Sequence, residues 1–182
     1  RRRYELASFT ERMIGAATLD ISVYEEVERD TSATGQAMVV VLLSSLSGGI
    51  GAIGVGAGVS GVLIAGVAAL IGWGTWACLT YLIGTRLLPE AQTKADVGEL
   101  MRTLGFAQSP GLVRVAAGFF GTGTLLFGLF QFIVSIWMLV TMVVAVRQAL
   151  DYTSTARAVG VVIVGFVVNV TVLMLVFATF AT

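Results

Sequence analysis

Histidine is missing altogether, proline occurs twice, cysteine once, and only 12% of the residues carry charge. Each shortage excludes something. Without histidine the commonest general base and metal ligand near neutral pH is gone. A lone cysteine, Cys78, permits no intrachain disulfide, and it lies in an apolar block with no environment that would activate it. The formal net charge is zero, which speaks against nucleic acid as a partner. No carboxylate pair falls within an apolar block, so no catalytic residue, metal site or cofactor is expected.

What the chain has is apolar surface: 57% of its residues are hydrophobic and its mean hydropathy is +0.92. Soluble domains carry about 25% charged residues, so half the usual polar surface is absent. Every charge lies outside three blocks, 31–85, 115–146 and 158–182. Uncharged apolar runs of about 18 residues or more read as membrane-spanning helices. The sequence therefore predicts an all-α, polytopic membrane protein. The opening RRRYELAS is followed by no apolar h-region, so it does not read as a signal peptide.

One motif points elsewhere. Gly49, Gly51 and Gly54 in GIGAIG have the spacing of a dinucleotide-binding fingerprint. That fingerprint needs an acidic residue about 20 positions on to hold a ribose. Residues 31–85 contain no charge at all, so the partner is missing and the motif is a coincidence of composition.

A helix needs about 20 residues to cross a hydrocarbon core of about 30 Å. The first block, 55 residues, therefore holds two spans, 35–57 and 62–86, with a turn near AGVSG. The last block holds one, 156–180. The middle block is long for one span and short for two, and GFFGTGTLLFG offers a turn at Gly118, Gly121 and Gly123. Charge placement decides. With two spans, 108–123 and 125–147, Arg86, Lys94, Arg102, Arg114, Arg147 and Arg157 join the N-terminal arginines on one face. Cytoplasmic loops are enriched in Lys and Arg. The expectation is five transmembrane helices with the N-terminus in the cytoplasm, the C-terminus outside, a tilted or re-entrant third span, and no charge at depth.

Residues 1–34 form a separate N-terminal segment ahead of the transmembrane domain, 35–182. In YELASFTERMIGAATL, Leu6, Phe9, Met13 and Ala17 recur at helical spacing, with Glu5, Glu11 and Arg12 elsewhere on the wheel. That suits an amphipathic helix lying on the bilayer or packed on the protein's own loops. In DISVYEEVERD, Ser22 and Glu25 have capping-box spacing. Five acids, Asp20, Glu25, Glu26, Glu28 and Asp30, stand there against Arg29 alone. Such a cluster is repelled by an anionic leaflet and reads as a solvated turn or as a face toward a basic partner or loop. With Tyr24 as an aromatic anchor, Asp20, Tyr24, Glu25 and Glu28 are the candidate partner-binding residues. The internal alternative pairs Glu25 or Glu28 with Arg102 or another loop arginine.

The loops have their own signals. Pro89 ends the second span, VGELMRTLGF reads as a short amphipathic helix, and Pro110 restarts the chain. Arg147 and Asp151 are four apart and suited to pair, and Ser154 or Thr155 can cap the last span. The match of these segments to a known pattern is loose but extended. An acidic N-terminal stretch precedes a Gly- and Ala-rich span pair, then come ELMRTLGFAQSPGLVRV, a Gly-interrupted hydrophobic pair and VRQALDYTSTARAVGVVIVG. In this the chain resembles the Yip family of Ypt/Rab-interacting membrane proteins, and more closely their prokaryotic branch. The resemblance implies a five-span, non-enzymatic protein of membrane organisation in a prokaryotic plasma membrane.

Within the spans, Ser44, Gly48, Ala52, Gly56 and Ser60 recur every four residues, and Gly54 and Gly58 add a neighbouring pair. Small residues let membrane helices touch backbone to backbone, so this stripe is expected to join spans one and two, or two copies of the chain. Gln131 and Asn169 are the strong polar groups in the later spans and read as interhelical hydrogen-bond glue. Three functions follow: a Yip-type scaffold or adaptor working through a cytoplasmic face, an accessory subunit of a larger complex, and a small transporter or channel. The expected partners are the lipid bilayer and other membrane proteins or a second copy.

Overall fold

A computed structural model describes residues 7–50 and 59–180, with side chains except at 50, 59, 60, 62, 173 and 175–180. The described residues form helices and no strand: α1 (Phe9–Ala17), α2 (Ile21–Arg29), α3 (Ala33–Ile50), α4 (Val59–Leu82, ending in a π turn Ile83–Leu87), α5 (Val97–Phe106), a 3₁₀ helix (Ser109–Phe120), α6 (Leu125–Ala149) and α7 (Thr155–Phe180).

Local chemistry explains most boundaries. Ser8 and Glu11 satisfy each other's backbone N–H groups at the start of α1, and Asp96 and Glu99 do the same for α5. Asp20 caps α2 by accepting from the backbone N–H of Ser22, in place of the expected Ser22–Glu25 box. Between α1 and α2, Leu19 adopts a left-handed φ of 66°, which closes the hairpin in a single step. Gly121 and Gly123, with φ of 73° and 83°, make the turn expected in GTGT, and Thr124 then caps α6. Ser154 caps α7 by accepting from the N–H of Arg157.

Among the described residues three helices are long and apolar enough to cross a membrane: Leu63–Leu87, Leu125–Ala149 and Thr155–Val172. They bear large outward side chains, among them Leu63, Ile64, Leu125, Ile133, Ile163 and Phe166. A water-soluble surface does not carry such a continuous apolar coat. The chain is an all-helical integral membrane protein.

The five expected spans are matched unequally. Those at 62–86, 125–147 and 156–180 coincide with these three helices. The one at 35–57 is described only as far as residue 50, as a shorter apolar helix. The one at 108–123 is a 12-residue 3₁₀ helix, about 24 Å long at about 2 Å per residue, short of the hydrocarbon thickness. Its three-residue period puts Gly111, Arg114 and Ala117 along one edge, with Gly111 and Ala117 buried. Gly111 is where α3 comes closest: a methyl group there would overlap the Ser44 hydroxyl.

The segment read as a second surface loop is the centre of the fold. α5 lies among α2, α3, α4 and α6 and buries Leu100, Leu104 and Phe106. Its Gly105 admits α3 so closely that a Cβ would stand 2.6 Å from that of Ala37. From the other side, Trp73 of α4 donates its indole N–H to the Met101 carbonyl at 3.0 Å.

Candidate functional site

The polar end of the bundle is closed by α1 and α2, and a buried arginine fastens them. Arg12 shares its face of α1 with Phe9, Met13 and Ala16 and is 1% exposed, against the expectation that it lies on the solvent side. Its Nε and Nη2 both donate to Glu26 Oε1, at 2.9 and 2.7 Å. Nη2 also reaches Asp30 Oδ2 at 2.7 Å, and Nη1 donates to Gln36 at 2.9 Å. One guanidinium thus ties α1 to α2, to the turn after α2 and to α3. Burial disfavours its charge, but the bonds to Glu26 and Asp30 outweigh this and raise its pKa. Asp30 is held below its ordinary pKa, first by the Ser32 hydroxyl and then, against some burial, by Arg12.

A second clamp joins α4 to α7. The Glu90 carboxylate accepts from the backbone N–H groups of Thr153 and Ser154 and from the Thr153 hydroxyl, at 2.8–3.2 Å. Arg157 Nε lies 3.5 Å away. The Thr153 N–H bond leads in lowering the Glu90 pKa to about 2. The Tyr152 hydroxyl shares its proton between the carbonyls of Gly84 and Leu88, at 2.8 and 2.7 Å, and so holds the end of the π turn. Arg147 donates to the Tyr152 and Thr153 carbonyls and not to Asp151, because the chain leaves α6 at Leu150 and Asp151 turns away with φ of 53°.

Between these clamps a cleft of about 310 Å³ opens, lined by Glu25, Glu28 and Arg29 of α2 and by Gln148, Asp151 and Tyr152. Three carboxylates therefore face one arginine, and Arg29 is drawn to Glu25 at 3.3 Å. Burial, then the charges of Asp151 and Glu99, push the Glu28 pKa up to about 7.

Of the four candidate partner residues, Glu25 and Glu28 line this cleft. Asp20 is exposed at the opposite end of α2 as its cap. Tyr24 is not a surface anchor: it is fully buried, with its hydroxyl donating to the Ala16 carbonyl at 3.0 Å. Nor does Arg102 pair with either carboxylate side chain. Its guanidinium donates to the backbone carbonyls of Val27 and Glu28 and so caps the C-terminal end of α2. Residues missed by sequence reasoning are Arg12, Glu90 and Asp151. The acids of Arg12, Glu26 on α2 and Asp30 just after it, stand in the acidic run, but which cation they meet depends on how the hairpin folds back.

Of the small-residue stripe, Ser44 is buried against Gly111, and Gly48 faces Arg114, whose Cδ and Nη1 lie 3.9 Å from where a Cβ would be. The stripe meets the 3₁₀ helix there. Among the contacts of α3 with α4, Leu42 packs on Gly66. Ala52, Gly54, Gly56 and Gly58 lie outside the described residues, as does the side chain of Ser60. Gln131 Oε1 is buried with no hydrogen-bond partner among the described residues. Asn169 lines a cavity of about 610 Å³ between α4, α6, α7 and the 3₁₀ helix.

That cavity also holds Arg114, which donates to the Ser135 hydroxyl at 3.2 Å and has a buried, unpartnered Nε. Ser135 lies 14 residues before Ala149 on α6, about 21 Å from the polar end. Arg114 therefore lies beside the middle of α6, one of the three long apolar helices, because α5 carries the chain into the bundle before Arg114 is reached. Among the described residues no group of His, Cys, Asp or Glu is arranged to hold a metal ion. No family model, curated protein or solved structure matches this chain.

Proposed function

We propose that the chain is a non-enzymatic membrane scaffold or adaptor of the Yip type, which holds a cationic segment of another membrane protein in the cleft at its cytoplasmic end. The observation that carries this is the cleft itself. Glu25, Glu28 and Asp151 converge from two separate parts of the chain, and Arg29 is a single counter-charge. Three acids kept together and under-neutralised cost stability in the free protein, and an arriving cation removes that cost while setting partner choice. The firm clamping of α1 and α2 onto the spans by Arg12 supports a preformed docking face.

A permanent partner in the same cleft would make the chain an accessory subunit of a larger complex. The Arg114 cavity favours a second reading, a small transporter or channel, since an ionisable residue at depth often marks a pathway. Copurification from native membranes in mild detergent separates these readings. The adaptor predicts a stoichiometric protein partner that the Glu25→Lys, Glu28→Lys double variant loses while its unfolding temperature holds. Flux of an ion or solute through liposomes containing the purified chain, with no partner lost on charge reversal, would overturn the adaptor.

A further inference from the structure

The cavity around Arg114 is built from two unlike halves. One is polar: the Arg114 guanidinium bound to Ser135, with Trp76 Nε1 and Arg114 Nε both buried and without partners among the described residues. These orphan groups are donors. The other half is apolar, formed by Met138, Met142 and Phe166. Among the described residues Arg114 has no ion pair with a carboxylate. The walls at Leu139, Ile163 and Phe166 are 45–64% exposed on the outer surface of α6 and α7, two helices long and apolar enough to cross a membrane.

We propose that this cavity binds an anionic amphiphile from the membrane, its phosphate or carboxylate head on Arg114 and its hydrocarbon along Met138, Met142 and Phe166. An oxyanion is acceptor-only and matches the buried, unpartnered donors of Arg114 and Trp76, and the Asn169 amide in the same lining can add an N–H. Guanidinium suits such a head because its planar fork engages two oxygens at once. The alternative for a cation at this depth is an unneutralised charge, which is costly in hydrocarbon. The volume, about 610 Å³, falls within the 300–1,000 Å³ of ordinary ligand sites. A wall exposed on the apolar surface of α6 and α7 is reached by a lipid directly from the bilayer.

Trp76 lines the site and reports on it. The full chain, in bilayers of unbrominated phosphatidylcholine, is titrated with dibrominated oleate, dibrominated phosphatidylglycerol or dibrominated phosphatidylcholine, and tryptophan quenching is followed. Saturable quenching by one or both anionic probes is expected, lost in Trp76→Phe, and which probe acts tells carboxylate from phosphate heads. Arg114→Gln is expected to raise the half-saturating concentration about tenfold or more, since glutamine lacks both the charge and the two-oxygen fork. If that variant does not fold, Ser135→Leu, at an exposed position beside the guanidinium, is expected to give the same loss. Equal quenching by the phosphatidylcholine probe, no effect of either variant, or displacement of the lipid by inorganic phosphate at equal concentration would overturn the proposal.

Discussion

Arg12 and Glu26 meet through two donors, Nε and Nη2, on a single carboxylate oxygen, at a site where the arginine is 1% exposed. Removing the arginine leaves Glu26, Asp30 and Gln36 without their common partner. Arg12→Gln is expected to cost about 3–5 kcal/mol, the usual penalty for breaking a buried pair from one side. Arg12→Lys should recover little, because the three donors of an ammonium sit on one nitrogen and cannot reach acceptors spread around a planar fork. Thermal unfolding in detergent measures both.

The contact of Gly111 with Ser44 sets the distance between α3 and the 3₁₀ helix. Gly111→Ala is expected to destabilise by about 1–3 kcal/mol through overpacking. Ser44→Gly in the same chain removes the obstructing hydroxyl and should restore most of the loss, leaving Met138 Cε as the next neighbour at 3.2 Å. A second change without rescue would mean that the backbone has shifted.

Two carboxylates give pH effects of opposite sign. Glu28 titrates near 7 in the folded protein and near 4.5 when free, so folding is penalised as pH rises from about 4.5 through 7, and fully above that. Glu28→Gln should therefore raise the unfolding temperature at pH 8 and leave it little changed at pH 4. Glu90 is depressed to about 2, so its contribution is present above about 4.5 and lost as pH falls from there toward 2. Glu90→Gln should weaken the protein at pH 7 and flatten its acid-side decline.

Helical class, membrane character and the bounds of α5, α6 and α7 were legible because apolar run length, Gly turns and capping residues are local signals. The fate of the individual charges was not. Arg12 lies one position from Met13 and was placed on the polar side of α1, yet Glu26, Asp30 and Gln36 surround it once the Leu19 hairpin folds back. VGELMRTLGF is amphipathic, with Glu99, Arg102 and Thr103 among its ten residues. Arg102 and Thr103 are buried along with Leu100, Leu104 and Phe106 because α2, α3, α4 and α6 surround the helix, a tertiary fact with no local signal. Arg114 looked like a loop charge because Pro110 suggested a fresh start at the surface. Pro110 instead opens a 3₁₀ helix already inside the bundle. Of the cleft's acids, Glu25 and Glu28 belong to the acidic run that is visible in the sequence. Asp151 does not, since it reaches the cleft through a tertiary fold.

As a docking site, the cleft should touch its cationic partner directly. The most direct measurement places a photo-crosslinking residue at Gln148, which lines the cleft without joining its acids, in the full chain in native membranes. The expected result is one discrete protein adduct that disappears when Glu28 is changed to Lys and persists when lipid-facing Ile133 is changed to Ala. No adduct at Gln148, or one whose yield ignores the reversal at Glu28, would contradict it.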